Sequence, residues 1–291
     1  MDVLQLVVSG LANGCVYGLV AMGFVLIYKA TEAVNFAQGD FMMLGAFICL
    51  GLTNSQFLGL PFWISVPIAI VIMGVFGYLL DLVVLRRMFG QSQVAVIILT
   101  IALGFVLRFV AGLIWGHEPI SLQTPMAGQY VRFGGLVLGL NEVIIILVTV
   151  ALTVILYFYF NRTKLGVAMQ ASSQNQLAAY YMGIPVQRLN GMIWGLSAGV
   201  AAVAAMLLAP ITFVHANMGL IGLKAFPAAV VGGFGSLPGA IVGGLVIGLV
   251  ESFSGFYLPE GFKDIAAYVV VLIMLAVKPN GLFGDSMHKK V

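Results

Sequence analysis

Charged side chains are scarce along this chain of 291 residues. Asp, Glu, Lys and Arg together make up only 8% of it, whereas apolar residues make up 62%. A soluble domain of ordinary composition carries about 25% charged residues, which help to cover its surface. The scarcity of charge excludes a water-soluble globule and a nucleic-acid-binding domain with a clustered basic face. The high apolar content excludes a disordered chain, which needs low hydrophobicity. An integral membrane protein built from helices remains.

Cysteine and histidine are also few. Cys15 and Cys49 are the two cysteines, and both lie inside apolar runs, so we predict neither a disulfide framework nor a metal cluster. No Gly-x-x-x-x-Gly-Lys-Ser/Thr pattern occurs, and no Ser-His-Asp or Cys-His arrangement stands out. We therefore predict no catalytic site and no metal site, and any energy for transport has to come from a partner or from an ion gradient.

Long stretches without charge predict the membrane-spanning helices, because about 20 apolar residues are needed to cross about 30 Å of hydrocarbon. The longest stretch, 41–80, has room for two spans and is expected to break at 53–56. We predict an all-α, polytopic transmembrane bundle that forms one domain over residues 1–291. Its eight full spans are expected at 3–28, within 41–80 (two), and at 92–115, 143–160, 189–213, 237–256 and 265–277.

The basic residues predict the orientation of the bundle. Nine of them fall on one side if the spans alternate: Lys29, Arg86, Arg87, Arg162, Lys164, Arg188, Lys278, Lys289 and Lys290. Only Arg132 and Lys263 fall on the other side, so the first group is expected in the cytoplasm, with the N-terminus outside and the C-terminus inside. This orientation needs an odd number of crossings. The short segment 219–235 is therefore expected to be a broken helix that carries the chain most of the way across.

Small and charged residues inside the spans indicate how the helices pack. Glycines four residues apart let helix backbones approach closely in a membrane. Such glycines are Gly14 and Gly18, Gly191, Gly195 and Gly199, Gly239 and Gly243, and Gly244 and Gly248. Arg108 lies within the fourth span, and we expect it to extend toward the outer surface or to pair with an acid such as Glu142 or Glu251.

Two polar or glycine-rich segments, 32–40 and 224–239, interrupt the apolar pattern. Non-helical backbone at membrane depth survives only against protein or a water-filled cavity, and transporters often bind or gate at broken helices. The predicted pathway or gate residues are Asn35, Gln38, Gly39, Asp40, Gly232, Gly233, Gly235 and Pro238. Two simpler interpretations stay open. Asp40 is also suited to cap a helix N-terminus, and the second segment to be an ordinary surface loop.

The longest cytoplasmic connection, 162–188, contains a stretch rich in alanine and glutamine. We predict one short helix over 167–182, which ends at Gly183 in a left-handed conformation and cannot continue past Pro185. A slim helix of this kind suits a plain connection between two spans. It equally suits insertion into the groove of a partner.

Four motifs, in a fixed order, resemble the membrane permease subunits of ATP-binding-cassette (ABC) importers for branched-chain amino acids, a family that includes urea and short-amide permeases. The motifs are Gly-Leu-Val-Ala-Met-Gly at 18–23 and the segments 32–45, 166–184 and 226–240. The resemblance covers nearly the whole chain, which is similar to the shorter permease that the family often pairs with a second one.

The resemblance implies a bacterial inner-membrane importer with two permeases, two ATPase subunits and a periplasmic binding protein. It implies no cofactor in this chain, with ATP and Mg²⁺ bound by the partner ATPase. It also implies that 166–183 touches an ATPase through Gly166, Ala168, Gln170, Gln174, Asn175, Ala178, Ala179 and Gly183. Since Gln170 stands where the family usually has Arg, and Leu177 where an acid is frequent, we expect this contact to rest on shape and polar groups.

Other functions remain open at this point. A urea or short-amide permease of the same family differs only in substrate. An ion-coupled secondary transporter that acts without an ATPase would need buried carboxylates, for which Asp40 and Glu251 are the candidates. An intramembrane enzyme would need a nucleophile–base pair, and the sequence offers no convincing one.

Overall fold

The computed structural model describes residues 3–54, 57–88, 91–133 and 136–284, apart from the side chains of 132–137. The helices in these ranges are α1 (Val3–Thr31), α2 (Gln38–Thr53), α3 (Phe62–Val83), α4 (Gln93–Trp115), α5 (Leu140–Arg162), α6 (Lys164–Gln174), α7 (Gln176–Tyr181), α8 (Val186–Thr212), α9 (Ile221–Gly232), α10 (Leu237–Tyr257) and α11 (Phe262–Val277). Short 3₁₀ helices cover Leu85–Met88 and Ala216–Leu220, and strands β1 (Tyr130–Phe133) and β2 (Leu136–Gly139) form a hairpin.

Six helices in the described ranges are long and apolar enough to cross a membrane: α1, α3 with its following 3₁₀ turn, α4, α5, α8 and α10. The expected break within 41–80 is confirmed, because α2 ends at Thr53 and α3 begins at Phe62. Helices α2 and α11 match the two remaining expected spans, but each has 16 residues, or about 24 Å of helix. Asp2, Lys289 and Lys290 lie outside the described residues.

Helix α1 forms the centre of the bundle, and each residue from Cys15 to Ile27 is buried. Its glycines allow α10 to pack directly against its backbone. A Cβ atom at Gly14 would lie only 2.7 Å from the carbonyl oxygen of Gly244, and one at Gly248 would overlap the backbone of Gly14. The close packing predicted from glycine spacing is therefore confirmed for this pair of helices.

A second close pair is formed by α3 and α8. A Cβ atom at Gly77 would lie 2.5 Å from Trp194 O, and one at Gly195 would lie 2.6 Å from Gly74 O. Helices α4 and α5 lie at the edge of the bundle and expose many of their large apolar side chains. This outer surface is the one that a lipid bilayer would cover.

The chain between α8 and α10 is broken, as expected for 219–235. Helix α8 ends at Thr212, Val214 exchanges backbone hydrogen bonds with Ile120, and a 3₁₀ turn leads into α9. Helix α9 has only 12 residues, about 18 Å, so it is too short to cross a bilayer alone.

The predicted single helix over 167–182 is wrong. Two helices, α6 and α7, occupy this segment, and Asn175 separates them with extended backbone angles (φ −158°, ψ 98°). The side chain of Asn175 explains the break, because its Oδ1 accepts a hydrogen bond of 2.9 Å from Ala178 N and starts a new helix. The predicted end is correct, since Gly183 has a φ of +81°.

The hairpin between α4 and α5 was not predicted. Its strands pair antiparallel, with Tyr130 opposite Gly139 and Phe133 opposite Leu136. The sequence offers a signal for it, since Gly134-Gly135 is a pair that two-residue hairpin turns favour.

Candidate translocation and coupling sites

The first irregular segment is a tight turn between α1 and α2 in which Asn35, Gln38 and Asp40 are buried and Glu32 is exposed. Asn35 Oδ1 accepts a hydrogen bond of 3.1 Å from Ala37 N, and Asn35 Nδ2 donates one of 3.3 Å to Gln38 Oε1. The backbone N–H of Phe36 donates to Thr100 Oγ1 of α4 at 3.2 Å. The turn is thus fixed by its own side chains and by α4.

Gln38 joins three helices in the interior of the bundle. Its Nε2 donates a hydrogen bond of 3.3 Å to Ser197 O on α8. Ser197 Oγ lies 3.0 Å from Gln38 Oε1 and 3.0 Å from Gly23 O on α1. Gly23 leaves room for this network, because a Cβ atom there would overlap the Gln38 amide and displace it. Three predicted or motif residues, Asn35, Gln38 and Gly23, therefore belong to one buried network.

Asp40 forms a buried ion pair with Arg108. Arg108 Nε lies 2.6 Å from Asp40 Oδ1, and Asp40 is only 1% exposed. The predicted partners of Arg108 are wrong, since Glu142 accepts a hydrogen bond from Ser9 and Glu251 lies 3.4 Å from Lys224 Nζ. The capping interpretation of Asp40 is also wrong: α2 begins at Gln38 and has no side-chain cap. Its carboxylate is used to hold α4 against α2.

Gly39 brings the first turn against the start of α9. A Cβ atom at Gly39 would overlap Gly219 O and would lie 2.8 Å from Gly222 Cα. The first irregular segment therefore packs directly against the broken region that leads into the second one.

Within the second irregular segment, 224–239, α9 continues to Gly232 and α10 begins at Leu237. Residues 233–238, which connect these helices and start α10, are held by backbone contacts. Gly233 has a φ of +96°, and Leu282 N and Phe283 N donate hydrogen bonds to Val231 O and Gly232 O. Ser236 Oγ accepts from Gly239 N at 3.1 Å and caps α10, in which Pro238 is the second residue. Of the predicted gate residues, Gly232 and Gly233 are buried, whereas Gly235 and Pro238 are exposed.

An aromatic cluster joins the two irregular segments. The ring of Phe226 lies 5.6 Å from Phe36, 5.9 Å from Phe24 and 5.8 Å from Phe234, measured between ring centroids. Phe234 also lies 4.8 Å from Tyr28. Sequence reasoning missed this cluster, although each irregular segment contains phenylalanine. The cluster lies beside the polar network of Gln38, because Phe24 and Phe36 are the chain neighbours of Gly23 and Asn35.

A cleft of about 240 Å³ is lined by residues of both the second irregular segment and the segment 164–183. Gly235 and Pro238 line it together with Met169, Gln170 and Ser173 of α6, and residues of α1, α5 and α8 form the rest of its wall. The sequence did not predict this contact, since Ser173 and Gly235 lie 62 positions apart.

The eight residues predicted to touch an ATPase lie in three different environments. Gly166 and Ala179 are buried, Ala168 and Gln170 are half-buried, and Gln174, Asn175, Ala178 and Gly183 are exposed. Gly166 packs against the last turn of α5, where a Cβ atom would lie 2.5 Å from Phe160 Cα. Gln170 Nε2 donates a hydrogen bond of 2.9 Å to Phe160 O, so it fixes α6 to α5.

Four large apolar side chains project from α7 and the turn after it. Leu177, Tyr180, Tyr181 and Met182 are 65–82% exposed. We call them the coupling patch. Sequence reasoning missed them as contact residues, although Tyr180-Tyr181-Met182 lies in one of the four motifs. A contiguous apolar surface of this kind marks a protein contact or a membrane contact.

Comparison with known proteins identifies the family. A family model described as branched-chain amino acid transport system / permease component matches residues 6–277. The chain belongs to this family. It is 30% identical to the high-affinity branched-chain amino acid transport system permease protein BraD of Pseudomonas aeruginosa, over 99% of this chain and 98% of BraD. It is 29% identical to the corresponding LivH protein of Escherichia coli, over 99% of this chain and 97% of LivH.

A solved structure shares the fold. The chain is similar to PsaBC from Streptococcus pneumoniae in complex with Fab, with a TM-score of 0.51 and 18% identity, over 94% of this chain and 92% of that chain. The resemblance carried by the four motifs is thus confirmed. The chain is a multi-pass membrane protein and a permease subunit of an ABC importer, and permeases of this kind are transport subunits that are not themselves enzymes.

Proposed function

We propose that this chain forms the membrane pathway for branched-chain or related hydrophobic amino acids, which a periplasmic binding protein delivers. The observation that carries the proposal is similarity over the full length to permeases named for these substrates. The aromatic cluster supports it, because apolar rings allow an apolar side chain to pass without holding it strongly. Affinity then resides in the binding protein.

The proposed assembly contains a second homologous permease and two ATPase subunits in a bacterial inner membrane. ATP and Mg²⁺ are bound by the ATPase subunits, and this chain binds no cofactor. Asp40 and Glu251 are already paired with Arg108 and Lys224, which disfavours their use as sites for a coupling ion. This pairing argues against an ion-coupled transporter that acts alone.

The proposed orientation places the N-terminus outside and the C-terminus in the cytoplasm, with one domain over 1–291. Helices α2 and α11 would be the seventh and eighth spans, and α9 would take the chain most of the way across. The bias of basic residues supports this arrangement. Segment 162–188, which includes α6, α7 and the coupling patch, then faces the ATPase.

The proposed mechanism transmits ATPase motion through the cleft. The ATPase binds the coupling patch and moves α7 and α6. Met169, Gln170 and Ser173 line the same cleft as Gly235 and Pro238, so this motion changes the cleft and reaches the turn that carries Phe234. Displacement of Phe234 from Phe226 and Tyr28 loosens the aromatic cluster and opens the pathway. The network of Gln38 and the ion pair of Asp40 keep the first turn in place meanwhile.

ATP-driven uptake of labelled leucine by the complete transporter tests this function. We expect Tyr181→Ala with Met182→Ser to abolish most uptake while leaving membrane insertion unchanged, because both side chains are exposed in the folded chain. The matched control is Tyr130→Ala, which removes an equally exposed tyrosine from the hairpin and should leave uptake normal. Normal uptake by the double variant would overturn the coupling assignment.

Competition measurements test the substrate. Excess unlabelled leucine, isoleucine or valine should suppress uptake, and excess urea or acetamide should not. Suppression by urea, with no suppression by the three amino acids, would indicate a urea or short-amide permease of the same family.

A further inference from the structure

A second cavity, with a volume of about 260 Å³, lies at the end of the bundle that faces the cytoplasm in the proposed orientation. The last residues of α1 and α3 line it together with the first residues of α4 and α8, and Gln176 of α7 contributes from the coupling segment. Ligand pockets for drug-sized molecules start at about 300 Å³, so this cavity suits a small metabolite. We call it the inner cavity.

Two polar atoms in the wall of the inner cavity lack a partner among the described residues. Asn190 Oδ1 and Trp194 Nε1 are both buried without a hydrogen bond, and their side chains belong to residues only 6% and 1% exposed. A buried polar atom left unpaired is costly. Both atoms are covered by neighbouring side chains, so a ligand in the cavity pairs with them when Asn190 and Trp194 shift toward it. One of these two is an acceptor and the other is a donor.

A charge pair lies in the same wall. Arg86 Nε is 3.2 Å from Asp81 Oδ2, and Arg86 Nη2 donates to Gln187 O at 3.3 Å. A guanidinium has five N–H donors in a planar fork that suits a carboxylate. Asp81 is 4% exposed and offers a carboxylate that suits an ammonium group. The apolar residues Leu85, Met88 and Val96 also line the cavity, as do the polar side chains of Thr31, Gln91 and Gln93.

We propose that the inner cavity binds a zwitterionic α-amino acid with an apolar side chain, on the cytoplasmic side of the membrane. The ligand's carboxylate binds Arg86 and the indole N–H of Trp194, and its ammonium group binds Asp81 and the Asn190 carbonyl. Its side chain packs against Leu85, Met88 and Val96. The choice of ligand and of membrane side rests on the proposed function.

The position of Gln176 gives the inner cavity a role in regulation. Gln176 Nε2 donates a hydrogen bond of 2.6 Å to Ala30 O at the end of α1, and the same side chain lines the cavity. A bound amino acid therefore contacts the helix that carries the coupling patch. Occupancy holds α7 against α1 and α8, so imported amino acid that accumulates inside slows its own import.

Fluorescence of Trp194 tests the binding directly. The chain has three tryptophans, and Trp63→Phe with Trp115→Phe leaves Trp194 as the only one. The full chain in lipid nanodiscs should show a saturable change in emission with leucine. Leucinamide, which lacks the carboxylate, and isocaproate, which lacks the ammonium group, should bind at least tenfold more weakly. Equal responses to isocaproate and leucine would overturn the zwitterion assignment, and no saturable response to leucine would overturn the site.

Variants of the cavity wall provide the second test. Arg86→Lys keeps the charge but loses the fork, and Asn190→Leu removes an acceptor that has no partner to lose. Each should weaken leucine binding at least tenfold. The matched control Arg87→Gln changes an exposed neighbour that does not line the cavity, and it should leave binding unchanged. Equal affinity in all three variants would place the ligand elsewhere.

Uptake into vesicles separates this inference from the proposed function. The measured quantity is the ratio of the uptake rate with leucine preloaded on the ATPase side to the rate without it. We expect a ratio well below one for the parent transporter and for Arg87→Gln, and a ratio near one for Asn190→Leu. Absent uptake in every sample would contradict the proposed function, whereas normal uptake with a ratio of one in the parent would contradict the feedback alone.

Discussion

The two irregular segments of this permease are held in place in different ways. The turn 32–37 and the start of α2 are fixed by side chains, with Asn35, Gln38 and Asp40 all buried and all bonded. The turn 233–238 is held by backbone contacts at its start and by the cap of α10 at its end, while Gly235 and Pro238 face an open cleft.

This difference separates the fixed part of the pathway from the movable part. A buried polar network is costly to rearrange, because each broken bond leaves an unpaired group in a low dielectric. The turn beside the cleft carries the ring contacts of Phe234 but no buried side-chain hydrogen bond such as those of Gln38, so its movement breaks fewer polar contacts. We therefore assign the first turn to the frame of the bundle and the second turn to the element that moves with the coupling segment.

Removal of Arg108 should have the largest effect on stability. Arg108→Leu leaves the Asp40 carboxylate buried and unpaired, and loss of one partner of a buried ion pair costs about 3–5 kcal/mol. We expect a sharp fall in the yield and unfolding temperature of the detergent-solubilised protein. Adding Asp40→Asn should restore much of the stability, because the unpaired charge is gone. A single variant as stable as the parent would contradict the role of the ion pair.

Loss of the Gln38 amide should have the next largest effect. Gln38→Ala leaves Ser197 and Asn35 without a shared partner in a buried region, at a cost of about 1–3 kcal/mol. The matched control is Gln174→Ala at the exposed end of α6, where a surface substitution costs within about 0.5 kcal/mol. Thermal unfolding of the two variants compares them. Similar unfolding temperatures would mean that the first turn is not held by its side chains.

Replacement of Phe226 should affect transport more than stability. Phe226→Leu keeps an apolar side chain but removes ring contacts worth about 0.5–1.5 kcal/mol each. We expect the transporter to hydrolyse ATP while importing less leucine per ATP, because the weakened aromatic cluster no longer closes the pathway tightly. Phe256→Leu, on the exposed face of α10, serves as the control. An unchanged ratio of uptake to hydrolysis in Phe226→Leu would remove the aromatic cluster from the pathway.

Replacement of Pro238 should have the smallest effect on stability. Pro238→Ala in the exposed first turn of α10 changes the free energy of unfolding by about 1 kcal/mol or less, mainly through the unfolded chain. We expect a lower ratio of leucine uptake to ATP hydrolysis, since Pro238 and residues of α6 line the same cleft. Pro259→Ala, in the loop before α11, is the matched control. If Pro238→Ala and Pro259→Ala gave the same ratio of uptake to hydrolysis, the second turn would have no part in coupling ATP hydrolysis to transport.

Local patterns predicted much of the fold. Charge-free stretches located the long helices, and glycine spacing predicted close helix packing, although not that α1 would pack against α10. The αL ending at Gly183 followed from residue type alone. The break at Asn175 was predictable too, because Asn is a favoured N-cap, but the helical pattern on both sides concealed it.

Contacts between distant residues could not be predicted in this way. Arg108 and Asp40 lie 68 positions apart, and several acids could have served as the partner. The cleft between α6 and the second turn, and the ring contacts of Phe226, likewise depend on how the helices pack in three dimensions. Single-sequence patterns indicate which residues are unusual for a membrane helix, and the fold decides which of them meet.

Thiol labelling in the complete transporter tests most directly whether the second turn moves while the first stays fixed. Both native cysteines are buried, so Gly235→Cys or Glu32→Cys introduces one exposed thiol into this chain. The labelling rate of this chain is compared with and without a non-hydrolysable ATP analogue. We predict a several-fold change at position 235 and no change at the exposed position 32. Equal rates with and without the analogue at 235, or the same change at both positions, would contradict the account.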